Sequence, residues 1–375
     1  MNKIKILHVV GKMDPGGIET LLMNIYRNID RERYEFHFAV QYVDRGFYDS
    51  EIEELGGKIL IQPHPRKGLR AFQEQFMSNV NNYGPYDAIH SHIFQFSGYV
   101  LKIAAQLQIS VRICHSHTIM PQKRATFIRS LYRRYMRSLI FKHSTHMIGC
   151  SKSACESLFG NQCWQDARTE LMANAINLSP YEQLPLERSG LRKRIGVTDP
   201  TLQVIGHIGR FSEEKNHRFL LETFALYVEH HPNTMLVLVG EGKLRKEMEG
   251  LAESLGIREQ VAFLGIRKDI AEIIGAFDLF LLPSLYEGLG MVVIEAQAGG
   301  VPSIVSDHVP PEANLKLDMV QHLGLQPQVW VAGIARVMSH SSSSRPDWST
   351  RYRALQKHGY DIHTNIQRLE KIYHA

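Results

Sequence analysis

Several features that would define a class of protein are scarce or missing in this chain of 375 residues. The four cysteines lack the paired spacing of a zinc site, and no secretory leader precedes the first apolar run. We therefore expect no disulfides and a cytoplasmic location. No apolar run approaches the roughly 20 residues that a transmembrane helix needs, which leaves only peripheral membrane contact. The net charge of +5 is too small to indicate nucleic acid by itself.

Short apolar runs rich in β-branched residues alternate with amphipathic stretches along the chain, a pattern that predicts parallel sheets covered on both faces. The expected strands are Lys3–Val10, Tyr34–Val40, Gly57–Ile61, Asp87–His92, Val111–His117 and His146–Ser151, then Leu202–Ile208, Met235–Val239, Val261–Leu264, Leu279–Pro283 and Pro302–Val305. The polar, proline-containing segment 179–200 predicts an interdomain linker. The predicted fold class is α/β, with two doubly wound parallel-sheet domains facing each other across a cleft.

Two glutamates eight residues apart carry the most information. Glu287 is expected on the turn after an apolar strand, and Glu295 about two turns inside the following helix. This spacing puts both carboxylates on one face near a helix start, where backbone amides offer an anion site. One carboxylate can then bridge a vicinal diol while the amides bind phosphate, which is what a nucleotide sugar requires. Ordinary helix capping is the alternative.

Two cations flank the turn after the first strand of the second half, in the run GRFSEEKNH. Arg210 and Lys215 precede a helix start, where positive charge opposes the helix dipole. That misfit is removed if a diphosphate binds there, with the arginine as a bidentate clamp and the lysine as a point charge. A solvated surface pair is the alternative.

A glycine pair follows the first strand, in the run DPGGIET. Gly16 and Gly17 have no Cβ, so the backbone amides of this turn can approach a phosphate. The turn is not the G-x-G-x-x-G fingerprint of dinucleotide-binding proteins, which removes the main support for a nicotinamide cofactor. A tight strand-to-helix turn is an equally weighted alternative.

Histidines end two expected strands, in the runs IHSH and ICHSH. The H-x-H spacing of His90 with His92 and of His115 with His117 places two rings on one strand face, which suits a transition metal. No Asp or Glu occurs between His90 and Cys155 to complete such a site. The sequence therefore favours a histidine that hydrogen-bonds a sugar over a metal ligand.

A basic amphipathic helix is expected over Lys123–Lys142, with Arg129, Arg133 and Arg137 at intervals of four beside an apolar face. One interpretation is a helix whose apolar face packs on the core. The other is contact with anionic lipid headgroups or a polyprenyl-phosphate acceptor. Nucleic acid fits poorly, because no exposed aromatic groove accompanies the charge.

Together these motifs resemble family 4 of the retaining glycosyltransferases. GGIE, GRFSEEKNH, VGEG at Val239–Gly242 and PSLYEGLGMVVIEAQAGG occur in that order, and the similarity extends from Ile6 to the C-terminal helix. The branch that assembles exopolysaccharide and capsule repeat units is the most similar. The resemblance implies a GT-B fold of two Rossmann-like domains. An acceptor-side domain over 1–178 would be completed by a C-terminal helix over 361–375, and a nucleotide-sugar domain would span 179–360.

The resemblance also implies roles for individual residues. Those expected to bind the donor are Gly16, Gly17, Arg210, Lys215, Glu241, Ile266, Arg267, Glu287, Gly288, Leu289, Gly290, Met291 and Glu295. Among them, Glu295 would hold the ribose hydroxyls, and Ile266 with Arg267 would hold the nucleobase. The catalytic set would be His117, near the transferred sugar, together with Glu287, Arg210 and Lys215. No metal or other cofactor is expected, which agrees with the absence of an Asp-x-Asp pair and makes the cations stabilisers of the leaving diphosphate.

The chain departs from the family pattern in three places. Residues 174–177 read NAIN where the family often has NGID, Gly290 replaces the proline of EGLP, and SDHVPPE replaces a glycine pair after the next strand. None of these changes touches the glutamates or the cations. They leave the identity of the donor sugar open.

The sequence thus predicts a retaining, metal-independent glycosyltransferase that moves a hexose or N-acetylhexosamine from a UDP-sugar to a lipid-linked saccharide. It is expected at the cytoplasmic membrane face, in exopolysaccharide, capsule or O-antigen assembly. A UDP-sugar epimerase on the same fold is one alternative, but it needs acid and base groups beside C2, and no such carboxylate pair is evident. A non-catalytic GT-B partner subunit is the other, and it would not need the two cations and two glutamates together.

Overall fold

The computed structural model describes residues 3–117, 126–185, 187–340 and 345–374. The chain divides into two compact units, which are Met1–Asn177 with Gly359–Ala375, and Leu178–His358. These divisions lie close to the boundaries at 178 and 360 that the sequence suggested.

A seven-stranded parallel sheet forms the centre of the first unit. Its strands are β1 (Ile4–Val9), β2 (Tyr34–Val40), β3 (Lys58–Ile61), β4 (Ala88–Ser91), β5 (Val111–Ser116), β6 (His146–Gly149) and β7 (Thr169–Leu171). The order β3-β2-β1-β4-β5-β6-β7 reverses direction between β1 and β4. Ligands of doubly wound sheets bind at the carboxyl ends of the strands beside such a reversal.

Helices cover both faces of this sheet. They are α1 (Gly17–Asn28), α2 (Asp49–Glu54), α3 (Leu69–Tyr83), α4 (Ser97–Gln106), α5 (Phe127–His143) and α6 (Lys152–Phe159). Successive strand residues point to opposite faces, so Ile6 belongs to one apolar core and Leu7 to the other. This is the two-sided burial that the near-continuous apolar strands predicted.

The second unit contains a six-stranded parallel sheet in the order β10-β9-β8-β11-β12-β13. Its strands are β8 (Gln203–Ile208), β9 (Thr234–Val239), β10 (Val261–Phe263), β11 (Leu279–Leu282), β12 (Ser303–Ser306) and β13 (Val320–Leu323). The helices of this unit are α7 (Ser179–Glu182), α8 (Ser189–Arg194), α9 (His217–Val228), α10 (Arg245–Ser254), α11 (Ile270–Gly275), α12 (Met291–Ala298), α13 (Pro327–His340) and α14 (Trp348–Lys357). Here the order reverses between β8 and β11. The predicted α/β class with two doubly wound sheets is confirmed.

The segment 179–200 was predicted as an interdomain linker, and this is wrong. Its helices α7 and α8 pack against α11, and Tyr181 and Leu191 are buried there. Arg192 Nη2 lies 2.6 Å from Asp278 Oδ2, which ties the segment to the start of β11. The prediction failed because polar surface residues and prolines dominate the segment, and only a few apolar residues attach it to the core.

The last helix, α15 (Ile362–Tyr373), belongs to the first unit, where it contacts α1. Ile362, Ile366 and Leu369 enter the same apolar core as the α1 side chains. Beyond the helix, the His374 ring lies 2.8 Å from the Tyr34 hydroxyl. The C-terminal residues are therefore a structural part of a unit whose other residues end at Asn177.

Packing requires glycine at one position of the second sheet. A Cβ on Gly206 in β8 would lie 2.1 Å from the Phe277 ring. We expect Gly206→Ala to lower the free energy of unfolding by about 1–3 kcal/mol through overpacking. Gly250→Ala is the matched control, because a Cβ there meets nothing within 4 Å and the residue is exposed in α10. That control should stabilise the protein by about 0.4–1 kcal/mol. Urea denaturation followed by circular dichroism measures both, and equal midpoints would contradict the packing argument.

Candidate active site

The loops after β8 and β11 are held together at the carboxyl edge of the second sheet. The backbone amide of Leu285 donates to the carbonyl of Glu214 at 2.8 Å, and Asn216 Nδ2 donates to the carbonyl of Pro283 at 3.2 Å. Asn216 adopts the left-handed conformation with φ 55°, which short polar side chains tolerate better than most. Because these bonds join the loops directly, the motifs that they carry have a fixed relative geometry.

A salt bridge crosses between the same two loops. Lys215 Nζ donates to Glu287 Oε1, and both side chains are largely buried. Glu287 also accepts a hydrogen bond of 2.8 Å from the hydroxyl of Ser284. The Ser306 hydroxyl in turn bonds to the carbonyl of Ser284 at 2.5 Å. Arg210 is exposed on the β8 loop. The structure therefore brings the predicted lysine and the predicted glutamate into direct contact.

The helix that carries Glu295 begins later than expected. Gly290 has φ 81°, a left-handed conformation that starts α12 at Met291 and leaves Glu287 outside the helix. Glu295 is thus a little more than one turn inside, and the predicted depth of two turns is wrong. Leu289 is buried and Gly288 is partly exposed on the preceding turn. The N-terminus of α12 still directs its amides towards this turn.

Glu295 occupies an environment that favours its protonated form. Burial raises the pKa of its carboxyl from 4.5 to about 7. The Tyr181 phenol lies near enough that its own pKa is raised well above normal, first by burial and then by the Glu295 charge. Among the described residues the Glu295 carboxyl has no hydrogen-bond partner. Sequence reasoning missed Tyr181, because it lies in the segment interpreted as a linker.

Two further loops at this sheet edge carry the remaining donor predictions. Gly240 has φ 141°, and a Cβ there would lie 2.1 Å from the Gly209 carbonyl oxygen, so the VGEG turn packs on the β8 loop. The carboxylate of Glu241 forms a salt bridge with Arg245. After β10, Ile266 is exposed, and Arg267 Nη2 pairs with Asp269 Oδ2 at 2.6 Å.

The glycine pair of the first unit lies at the start of α1. Gly16 is the N-cap, and a Cβ there would meet the Glu19 carboxylate oxygen at 2.4 Å. A Cβ on Gly17 would meet nothing within 4 Å. Packing within the unit therefore does not require glycine at position 17, and its role towards a phosphate stays a prediction.

Five histidines gather at the carboxyl edge of the first sheet, where β1, β4 and β5 end. They are His8, His90, His92, His115 and His117. A hydrogen-bonded chain runs from His8 Nδ1 to His92 Nε2 (3.2 Å) and from His92 Nδ1 to His117 Nε2 (2.9 Å). Sequence reasoning missed His8, because a single histidine inside an apolar strand carries no motif.

The predicted sugar-positioning histidine already has partners on both of its ring nitrogens. His117 Nδ1 lies 3.1 Å from Asn174 Oδ1, and Nε2 faces His92. Burial lowers the pKa of His117 from 6.5 to about 4, so the ring is neutral at pH 7. A direct contact with substrate would require one of these two bonds to open.

Helix α5 buries only part of its apolar face. One of the two interpretations of its sequence had the whole face packed on the core. Met136, Leu139 and Ile140 are buried, and the helix packs mainly on α4. The N-terminal half of the same apolar face is exposed, with Phe127 82%, Ile128 79% and Leu131 60% accessible. Lys123 and Arg124 lie outside the described residues. In the described parts of the chain, no helix is both long and apolar enough to cross a bilayer.

Both units match models of known families. The model described as Glycosyltransferase Family 4 matches residues 15–180, and the model described as Glycosyl transferases group 1 matches residues 192–350. A crystal structure of Anabaena HepE in complex with UDP-glucose aligns with a TM-score of 0.75 at 22% identity, covering 98% of each chain. With the two sheets described above, this defines a GT-B glycosyltransferase fold.

Curated relatives narrow the assignment. The candidate glycosyltransferase EpsF of Bacillus subtilis is 34% identical over 98% of this chain and 96% of its own length. The capsular polysaccharide biosynthesis glycosyltransferase CapH of Staphylococcus aureus is 24% identical over 99% and 98%. An Escherichia coli enzyme named as a UDP-Gal:α-D-GlcNAc-diphosphoundecaprenol α-1,3-galactosyltransferase is 26% identical over 59% and 58%. The chain belongs to glycosyltransferase family 4, as the motifs indicated.

The raised pKa of Glu295 predicts a pH-dependent stability. Because the folded state holds this proton up to about pH 7 while the unfolded chain loses it near 4.5, the free energy of unfolding falls as pH rises between these values. We expect Glu295→Gln to gain about 1–3 kcal/mol over the wild type at pH 8 relative to pH 4.5. Urea denaturation at both pH values measures the difference. Glu253→Gln, exposed on α10, is the control and should follow the wild type. Parallel behaviour of Glu295→Gln and wild type would refute the prediction.

Proposed function

We propose that the protein is a retaining glycosyltransferase that moves a hexose or N-acetylhexosamine from a UDP-sugar to a lipid-linked saccharide in polysaccharide assembly. The observation that supports this most is the placement of Arg210, Lys215 and Glu287 on two joined loops at one sheet edge, with Glu295 in the helix that follows the second loop. The reversal of strand order beside these loops is where such sheets bind nucleotides.

In this proposal the Glu295 carboxylate accepts hydrogen bonds from both ribose hydroxyls. Its lack of a partner among the described residues leaves it available for a diol. Ile266 and Arg267 then flank the base. Because a ribose is common to all nucleotide sugars, this contact is independent of the sugar transferred.

The diphosphate would bind between Arg210, Lys215 and the start of α12. Lys215 is paired with Glu287 in the structure, so the lysine exchanges a carboxylate for a phosphate oxygen when the donor binds. The released Glu287 carboxylate then faces the donor sugar. Positive charge and helix amides at this point stabilise the negative charge that develops on the leaving diphosphate.

Retention follows if the acceptor hydroxyl attacks from the face that the diphosphate leaves. The bond between the anomeric carbon and the phosphate oxygen breaks, and a bond to the acceptor oxygen forms. A donor phosphate oxygen takes the acceptor proton. No metal enters this scheme, because the cations neutralise the leaving group.

A lipid-linked acceptor is supported by α5 and by the undecaprenol-linked substrate in the name of the E. coli relative. The exposed Phe127, Ile128 and Leu131 lie beside the exposed cations Arg129 and Arg134. Apolar and basic side chains on one helix suit an anionic bilayer surface, to which each cation adds about 1 kcal/mol. We propose that α5 keeps the enzyme at the cytoplasmic membrane face.

The donor site is tested first without knowledge of the acceptor. A thermal-shift panel of UDP-, GDP-, ADP- and TDP-sugars should select UDP-sugars, and a donor at 100-fold excess over its Kd contributes about 2.7 kcal/mol. With the selected donor and a lipid-linked acceptor extract, Arg210→Ala and Glu295→Ala should each remove most transfer of radiolabelled sugar. Both variants should retain the wild-type circular dichroism spectrum.

Arg218→Ala is the control for this experiment, because Arg218 is an exposed arginine on α9 that pairs with Glu247. Full transfer by Arg210→Ala or Glu295→Ala would sink the assignment of the site. Conversion of UDP-N-acetylglucosamine to the mannosamine epimer without acceptor would favour the epimerase instead. An absence of nucleotide affinity would favour a non-catalytic subunit.

Membrane contact is tested by a triple variant of α5. Phe127→Ser, Ile128→Ser and Leu131→Ser together should lower co-sedimentation with phosphatidylglycerol vesicles by about tenfold or more, because burying each large side chain contributes about 1.5–3 kcal/mol. Leu226→Ser, an exposed leucine on α9, is the matched control and should sediment like the wild type. Equal sedimentation of the triple variant and the wild type would rule out α5 as the anchor.

A further inference from the structure

We propose that His92, His115 and His117 form a binding site for a divalent transition-metal ion of the zinc class, at the carboxyl edge of the first sheet. The inference does not depend on the proposed donor, acceptor or mechanism. It concerns the first unit alone and is not offered as a requirement for sugar transfer.

The geometry of the three rings supports the site. One nitrogen from each ring lies within 4.8 Å of the other two, and His92 Nδ1 is 2.9 Å from His117 Nε2. A tetrahedral zinc ion with Zn–N bonds of about 2.0–2.1 Å needs its ligand atoms about 3.4 Å apart. The nitrogen separations, from 2.9 Å to at most 4.8 Å, bracket that spacing.

An unsatisfied nitrogen is the second observation. His115 is buried, and its Nε2 has no hydrogen-bond partner among the residues that the structure describes. Leaving a buried polar atom unpaired is unfavourable. A metal ion bonded to this nitrogen would use its unpaired lone pair.

In His117 and in His115, a hydrogen bond at one ring nitrogen leaves the lone pair on the other nitrogen, where it can bind a metal ion. When His117 Nδ1–H donates to Asn174 Oδ1, the lone pair of His117 stays on Nε2. When His115 Nδ1–H donates to His90 Nε2, 3.1 Å away, the lone pair of His115 stays on its unpaired Nε2. Such outer partners orient and strengthen metal-binding histidines.

The third ligand becomes available through a change of tautomer. When His117 donates to Asn174, His92 donates from Nδ1 to His117, so metal binding requires the His92 proton to move to Nε2. There it can donate to His8 Nδ1, 3.2 Å away, and the proton of His8 moves to its own unpaired Nε2. All rings remain neutral, and no proton leaves the cluster.

The ligand set also selects the kind of ion. Three imidazole nitrogens suit Zn²⁺, Co²⁺, Ni²⁺ or Cu²⁺, whereas Mg²⁺ and Ca²⁺ require oxygen ligands. In the part of the chain that the structure describes, no carboxylate or thiolate joins these three rings as a further ligand. The fourth position is therefore left to water, hydroxide or a phosphate oxygen.

The test uses the full chain without an affinity tag, stripped with chelator and then dialysed against limiting Zn²⁺ or Co²⁺. Bound metal is measured by atomic emission, and the Co²⁺ absorption band reports the coordination geometry. We expect one ion per chain. His92→Gln and His115→Gln should lose it, and Asn174→Ala should bind about tenfold more weakly or worse.

His146→Gln is the matched control, because this histidine begins β6 in the same sheet but lies outside the cluster. It should bind metal like the wild type. Circular dichroism establishes whether each variant folds. X-ray absorption of the zinc-loaded wild type needs no variant, and it should show nitrogen ligands at about 2.0–2.1 Å with imidazole scattering. No retained ion, binding unaffected by both cluster variants, or a sulfur ligand from Cys114 or Cys150 would overturn the proposal.

Discussion

The adjacency of β8 and β11 is the constraint on which the candidate donor site depends. Their order in the sheet brings together two loops that are more than 60 residues apart in the chain. Backbone bonds from Leu285 and the Asn216 side chain then fix those loops to each other. Lys215 and Glu287 can meet only because of this pairing. The strand order of the parallel sheet thus brings residues of two separate motifs into one candidate site.

The sequence predicted the central strands and two of the edge strands, β3 and β10, but it missed the edge strands β7 and β13. Runs such as Tyr34–Val40 are apolar because they are buried on both faces, and burial is what the hydrophobic pattern records. The missed strands, Thr169–Leu171 and Val320–Leu323, are short, partly exposed edge strands. The segment 179–200 was misinterpreted for the same reason. Its few buried apolar residues are separated by polar surface residues, so the hydrophobic pattern is weak.

The motifs of the donor site could be found in advance, but their mutual geometry could not. The depth of Glu295 in α12 depends on one backbone angle at Gly290, and the pairing of Lys215 with Glu287 depends on two separate loops. His8 joins the histidine cluster only because β1 lies beside β4. These contacts depend on the order of the strands in the sheet, and the spacing of residues along the chain does not reveal that order.

Gly290 has a consequence for the exchange of loops between relatives. Proline is locked near φ −65°, whereas position 290 has φ 81° in this protein. The EGLP form of the motif therefore cannot be grafted here without a different backbone path into α12. Any chimera that swaps the loop must also swap the start of the helix and Val309, whose side chain lies against this turn. The departure at this position is a difference in chain trajectory as well as in side chain.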